Sequence, residues 1–520
     1  MKRSLLPVAL PLLLAFGLVL SAQDAGMVLR TSVTYNTQKA TLPLTSDQRR
    51  QADDLSRQAQ QANQSGKYGD ALRFLYQGLA VMRNVPWTPA FEFASSLQGK
   101  LDHAIVEPGT PVTVTLAPLY STPRAAKIKL SASLVLVPVR KDGTGGQTNL
   151  SQGAVLAPPR TDLSVPALPL GAPVAVDPTA LPFTTRVALS GTPAGDYIIE
   201  VRLAADADTP AAAARAAFLK SLPLHIDNLS DSLSRLRTRL AKAPKKNGLA
   251  TAEYAVALFE RADAGEFNPA RVNFREEFAA ANAILDSLDA GKDPFAGKHG
   301  DSRHAYRSAV DNTLQPYRLF IPQSYDAAKP TPLLIALHGM GGDENTFFDS
   351  DLYANGLLKR EAERVGFIVA CPKGRDSASM YRGDAEQDSL DVMADVQRSY
   401  RIDSTRIYLM GHSMGGYGTW SIAMNHPDLF AALGPISGGG SPDGMAKIRH
   451  IPEYVTHGDD DRTVPVTQSR GMVEAGRKAG ADIVYVEVPG GSHTSVAAPA
   501  IAPMLDFFAK QRKPAQPQPQ

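Results

Sequence analysis

The chain is poor in cysteine, poor in tryptophan and nearly without net charge. Cys371 is its one cysteine among 520 residues, so no intramolecular disulfide can form in any redox compartment. It lies in the apolar run "GFIVACP", which suits a buried structural thiol better than a reactive one. Lysine and arginine number 54 against 52 acidic residues, a formal charge of +2, so nothing points to nucleic acid or an acidic membrane surface as partner. There is no H-E-x-x-H, no phosphate-binding glycine loop and no dinucleotide fingerprint, so neither metal nor cofactor is expected. His299 and His304 lie in or near a Gly-rich linker and are expected to be solvated. Past the N-terminus, no run is long and apolar enough to span a bilayer.

What is present starts with an export signal. Lys2 and Arg3 precede an apolar stretch at 5–20, and the small residues Ser21 and Ala22 suit cleavage near Ala22. The expected location is therefore secreted or periplasmic, with no membrane attachment after cleavage. The alternative is an uncleaved anchor, for which the apolar run is short. Hydrophobic residues at 43% and charged residues at 20% describe a globular chain with material for several cores.

Periodicity divides the rest. Residues 23–107 form a helical region, with helical spacing over 46–101 and one tetratricopeptide-like hairpin in "QQANQSGKYGDALRFLYQGLAVM". Solenoids of that kind need about three units, so a packing element is expected here. Residues 108–228 change to a strand period ("PVTVTLAPLY", "KIKLSASLVLVPV", "GDYIIEVRLA") and predict a β-sandwich-like domain. Its Gly/Pro-rich stretch 141–173 reads as a long exposed loop, and no aromatic platform for a sugar stands out. Residues 229–297 return to helices and end in the linker "GKDPFAGKHG". Residues 298–512 alternate strands and helices, the pattern of a doubly wound, mostly parallel sheet. The tail 513–520, "KPAQPQPQ", is expected to be disordered.

Within that last domain, "RIYLMGHSMGGYGTW" places Ser413 in G-x-S-x-G between a strand and a helix. The glycines relieve the crowding that a strained serine imposes on its neighbours. A structural turn would explain the pentapeptide equally well, so partners decide. A serine hydroxyl needs an imidazole to take its proton and a carboxylate to orient that imidazole. "YVTHGDDDRTVP" ends a later strand with Asp459, Asp460 and Asp461, and "VYVEVPGGSHTS" ends the next with His493, in the order acid then histidine. The Met414 N–H, next to the serine, is the expected first oxyanion donor.

From about residue 317 to 508 the chain resembles the secreted α/β-hydrolases grouped with feruloyl and acetyl esterases, polyhydroxyalkanoate depolymerases and prolyl-oligopeptidase-like peptidases. The stretches that carry it are "YRLFIPQSYD", "PLLIALHGMGG", "RIYLMGHSMGGYGTW", "HPDLFAALGPISGG" and "HGDDDRTVP". The family pattern H-G-x-x-D-x-x-V-P selects Asp461, leaving Asp459 and Asp460 to cap the loop or form a weak cation site. The H-G-x-G-G turn at "HGMGG" implies the Met340 N–H as second oxyanion donor. The resemblance covers about two-fifths of the chain and implies a serine hydrolase of small-molecule or polysaccharide esters. Two alternatives stay open: an exported peptidase, and an envelope scaffolding protein with a vestigial hydrolase. The β-propeller of prolyl oligopeptidases has no counterpart here, which weakens the first. Tyr381 and Arg382, in "KGRDSASMYRGDAEQD", are candidates to touch substrate or to be merely surface-exposed.

Overall fold

The computed structural model describes residues 25–122, 128, 130–139, 168–205 and 218–513. The expected signal at 1–22, most of the Gly/Pro-rich stretch and the tail from 514 onward lie outside the described residues.

The described chain opens with α1 (Ala25–Thr41), α2 (Ser46–Gln64), α3 (Tyr68–Met82) and α4 (Pro89–Ser96). A capping box starts α2: the Thr45 side chain accepts from the Gln48 N–H, and the Gln48 side chain accepts from that of Thr45. α2 and α3 form a hairpin around Gly66. α1 joins them through Tyr35, whose hydroxyl donates to the Ala52 carbonyl at 2.6 Å. The Tyr35 ring fills the space left by Gly78, where a Cβ would stand 2.2 Å from the tyrosine oxygen.

Strand structure begins earlier than the helical spacing implies. Leu97–Leu101 is β1, not helix: the chain turns extended at Leu97, whose side chain is buried together with that of Leu101. It is followed by β2 (Ile105–Val106), β3 (Val112–Pro118), β4 (Leu130–Pro138), β5 (Leu168–Pro169), β6 (Val174–Val176), β7 (Phe183–Val187), β8 (Gly195–Ala205) and β9 (Phe218–Ile226). These make two sheets, ordered β1-β3-β7 and β2-β9-β8-β4-β5, with β6 also on β4. Val112, Val114 and Leu116 alternate inward along β3 and join α1–α4 in one apolar core.

A second core begins with α5 (Ser230–Leu240), α6 (Leu249–Asp263) and α7 (Phe274–Asp289). The strands β10 (Gly300–Arg307), β11 (Leu314–Ile321), β12 (Thr331–Leu337), β13 (Ile368–Pro372), β14 (Ile402–His412), β15 (Ala432–Ile436), β16 (Glu453–Gly458) and β17 (Ile483–Val488) follow. They form one eight-stranded sheet in the order β10-β11-β13-β12-β14-β15-β16-β17. The β10–β11 and β11–β13 pairs are antiparallel and the rest are parallel. Its helices are α8 (Thr346–Asp349), α9 (Leu357–Val365), α10 (Asp384–Ser399), α11 (Met414–Asn425), α12 (Thr467–Lys478) and α13 (Ala497–Phe508). Side chains alternate between the two faces of this sheet. On β12, Leu333, Ile335 and Leu337 enter the core shared with α10–α12, while Leu334 and Ala336 enter the one beneath α9 and α13. Cys371 is buried on β13, and burial pushes its thiol well above the usual value. Among the described residues no helix is long and apolar enough to cross a membrane.

Two boundary expectations need correction. α5–α7 are not a separate region: Leu258, Phe278 and Leu285 lie in the same apolar core as Tyr317 on β11 and Leu337 on β12. The segment 292–299 does not isolate them, because Phe295 is buried and packs tilted against His304 at 4.4 Å between ring centroids. His304 is therefore not solvated. It is 3% exposed, sits against Tyr317 on its other side at 5.3 Å, and burial pushes its imidazole down to about 3. His299 is exposed, as expected, with Nδ1 2.9 Å from the Pro322 carbonyl.

A piece spanning 298–513 loses the α6 and α7 side of this core and is expected to aggregate. A piece spanning 229–513 retains it and is expected to unfold in one cooperative thermal transition. Solubility and differential scanning calorimetry of the two pieces check this.

Candidate active site

β14 runs into the sheet's centre and ends at His412; Ser413 follows at φ 58° and ψ −116°, and α11 starts at Met414. That positive φ is costly for a residue with a Cβ. It is held by the Ser413 N–H, which donates to the Ile436 carbonyl at 2.8 Å. The turn is so tight that a Cβ at Gly415 would lie 1.9 Å from the Leu337 carbonyl oxygen, and one at Gly411 2.2 Å from that of Gly415. Glycine is required at both positions by contact with backbone, which cannot move aside as a side chain could.

The folded chain brings the three residues singled out in the sequence together. His493 Nε2 lies 2.8 Å from Ser413 Oγ, and its Nδ1 lies 2.7 Å from Asp461 Oδ2. Asp461 follows β16 and His493 follows β17, so neighbouring parallel strands deliver both to one end of the sheet. Asp461 Oδ1 accepts the N–H groups of Thr463 and Val464 at 2.9 and 2.8 Å. Burial pushes this carboxyl up, but hydrogen bonds from His457 and His493 outweigh it and hold it well below the usual carboxylate range. The neighbouring aspartates point elsewhere. Asp459 accepts the Gly490 N–H at 2.6 Å, and Asp460 pairs with Arg462 at 3.0 Å on the surface.

Two further histidines brace this arrangement. His457 is fully buried, with Nε2 2.9 Å from the Val464 carbonyl and 3.1 Å from Asp461 Oδ2. Both neighbours only accept, so the proton must sit on Nε2. Nδ1 lies 2.7 Å from Ser469 Oγ. His412 places Nε2 2.8 Å from the His493 carbonyl and Nδ1 2.8 Å from the Tyr353 hydroxyl. Burial, then the nearby His493, push it down to about 3, so it is neutral at ordinary pH. Nε2–H therefore donates to His493 and the Tyr353 hydroxyl donates to Nδ1.

The glycine turn after β12 lies beside the serine: a Cβ on Gly339 would stand 3.4 Å from Ser413 Cβ. His338 Nε2 bonds the Lys373 carbonyl and Gly341 N–H donates to the Ser377 carbonyl, each fixing the turn to the next loop. Among the described residues no protein acceptor takes the Met340 or the Met414 N–H. Tyr381 is not on the surface. It is fully buried, its ring within reach of Gly374 and its Cβ 2.8 Å from where a Cβ on Gly418 of α11 would be, while Arg382 is exposed.

The sheet order and the strand–serine–helix junction are those of the α/β-hydrolase fold, with Ser413, His493 and Asp461 in hydrogen-bond contact at the strand ends. The family described as putative esterase matches residues 308–446. A bifunctional acetylxylan esterase/xylanase of Neocallimastix patriciarum is 29% identical over 28% of this chain and 22% of its own length. A probable feruloyl esterase C of Aspergillus flavus is 29% identical over 35% of this chain and 68% of its own. The chain thus spans about a fifth of the first relative and two-thirds of the second. A solved ferulic acid esterase of Anaeromyces mucronatus aligns at 17% identity and TM-score 0.35, over 41% of this chain and 93% of that one. Over 308–446 the C-terminal region is therefore similar to esterases.

Beneath the site, Glu453 of β16 accepts the Trp420 indole N–H at 2.8 Å, tying β16 to α11. Its other oxygen is buried with no partner among the described residues. Burial pushes this carboxyl up to about 7, opposed by the Trp420 hydrogen bond. A carboxyl raised from an unfolded value of about 4.3 adds stability below that pH and loses it as pH rises through the folded value. The thermal midpoint of the wild type is expected to fall between pH 5 and 8, and Glu453→Gln is expected to flatten that slope. Thermal melts of the two across this window check it.

Proposed function

We propose that the protein is a secreted serine hydrolase of carboxylic esters, working through an acyl-enzyme. The observation that carries the reading is His493, whose two ring nitrogens reach Ser413 Oγ and Asp461 at 2.8 and 2.7 Å. In the first step Ser413 Oγ attacks the ester carbonyl carbon and its proton passes to His493 Nε2. Asp461 holds the Nδ1–H and stabilises the imidazolium. The oxyanion takes hydrogen bonds from the Met340 and Met414 amides; one such donor contributes about a hundred- to a thousand-fold in rate. The C–O bond to the alcohol breaks, and the leaving oxygen takes the proton from His493. Water then repeats the sequence on the acyl-serine and releases the acid. None of these steps draws on a cofactor.

The substrate class rests on the relatives. The esterase family matches the region that carries Ser413, and the similar proteins include ones named for feruloyl and acetylxylan ester cleavage, so acyl or feruloyl groups on polysaccharides are the proposed substrates. The apolar leader at 1–22 supports export to the compartment where such polymers are met.

Ser413→Ala is expected to lower kcat on a short-chain p-nitrophenyl ester by about a million-fold, as loss of a triad nucleophile does. Equal rates in the two proteins would remove the assignment. His457→Ala takes a hydrogen-bond donor from Asp461 and loosens the carboxylate that orients His493. Its kcat/KM should drop about tenfold, the loss expected of a hydrogen bond to a charged group. Steady-state rates of the variant and the wild type check this.

A further inference from the structure

Across the β10–β11 pair, Arg303 and Arg318 are direct register partners. Like charges in that position repel and destabilise a sheet. Both side chains are largely buried, 15% and 12% exposed, which worsens the cost unless each is neutralised. Arg303 meets Glu277 of α7 at 3.3 Å and Glu344 at 2.9 Å. Arg318 meets Asp301 at 2.9 Å through Nε and Asp349 of α8 at 2.8 Å. The two guanidinium groups also converge on one acceptor: Asn345 Oδ1 lies 3.2 Å from Arg303 and 2.7 Å from Arg318.

Glu344 and Asn345 follow the turn Gly339–Met340–Gly341–Gly342 after a single residue, Asp343. Glu344 is 3% exposed. Burial and the adjacent Asp343 push its carboxyl up, and Arg303 pulls it back down. On the N-terminal side of Met340, His338 Nε2 lies 2.8 Å from the Lys373 carbonyl, and within the turn the Gly341 N–H donates to the Ser377 carbonyl at 2.7 Å. The Met340 amide thus sits in a backbone segment clamped at both ends, with a buried arginine as one jaw.

We infer that Arg303 is a positioning residue: by holding Glu344 and Asn345 it presets the Met340 N–H for the oxyanion, and through Glu277 it makes the α5–α7 layer part of the catalytic support. This rests on the reading that Met340 and Ser413 serve an esterase. It gives the α5–α7 layer, absent from the sequence resemblance, a task at the site. Oxyanion donors act by being aimed before charge develops, so a loosened turn costs rate and leaves ground-state binding intact.

The test uses the full chain as wild type, Arg303→Met, Arg303→Lys, and the double variant Arg303→Met/Glu344→Gln. The double variant removes the buried carboxylate that Arg303→Met would strand, so it folds if that charge alone is the obstacle. Competent sites are counted by fluorophosphonate labelling run to completion, and kcat and KM for p-nitrophenyl acetate are expressed per labelled site. The Ki of phenylboronic acid, which forms a tetrahedral adduct on the serine, reports the oxyanion contacts. Arg303→Met and the double variant are expected to lose about a hundredfold in kcat per site, with a matching rise in boronate Ki and KM within about threefold. Arg303→Lys, which keeps the charge, is expected to recover most of the loss. Per-site kcat and Ki within about threefold of wild type in the double variant would overturn the inference. A wild type that neither labels nor cleaves esters would overturn the esterase reading itself, and this inference with it.

Discussion

The site depends on a contact between two backbones. β12 and β14 are adjacent parallel strands, and the turn after β14 passes so close to the end of β12 that Gly415 has no room for a methyl group beside the Leu337 carbonyl. That approach forces the chain through the strained conformation of Ser413 and lifts its hydroxyl clear of the sheet. It also brings the glycine turn after β12 alongside the serine. Strain of this kind persists only where the surroundings over-determine it. Here they do so through the Ile436 carbonyl, the Gly416–Gly438 backbone contact and the Glu453–Trp420 bond beneath α11.

Around that fixed point the polar groups fall into distinct roles. Asp461 is the acceptor for four donors and stays charged because they outweigh its burial. His412 is held neutral by burial, so it holds the His493 backbone without placing a second positive charge beside an imidazolium. His457 carries its proton toward Asp461. One residue type thus serves as proposed base, backbone clamp and acid support, with surroundings deciding which.

Much of this was legible in the sequence because the chemistry sits at strand ends. Six apolar runs read as strands at 331–488, and serine, acid and histidine each follow one of them, so their convergence followed from parallel topology. What was not legible needed the third dimension. Helical spacing is the same whether a helix packs on its own neighbours or on a sheet, so α6 and α7 gave no sign that Phe278 shares a core with Leu337. Tyr381 lies in a loop of Lys, Arg, Asp and Ser, a composition that suggests solvent; only folding places its ring in the gaps left by Gly374 and Gly418. Leu97–Leu101 is short and contains Gly99, too little pattern to separate it from the helix before it. Tyr353 reaches His412 from 59 residues away, and no local motif marks it. His457 stands inside the quoted "HGDDD" stretch, yet its contact with Asp461 depends on a turn that the pattern does not reveal.

The account stands on Ser413 acting as the nucleophile. The most direct measurement is peptide mapping by mass spectrometry of the wild type mixed with a p-nitrophenyl ester and quenched in acid within milliseconds. The account predicts one acyl group per chain, on the peptide that contains Ser413. An acyl group on another residue, or ester turnover with no acylated peptide at any time, would contradict it.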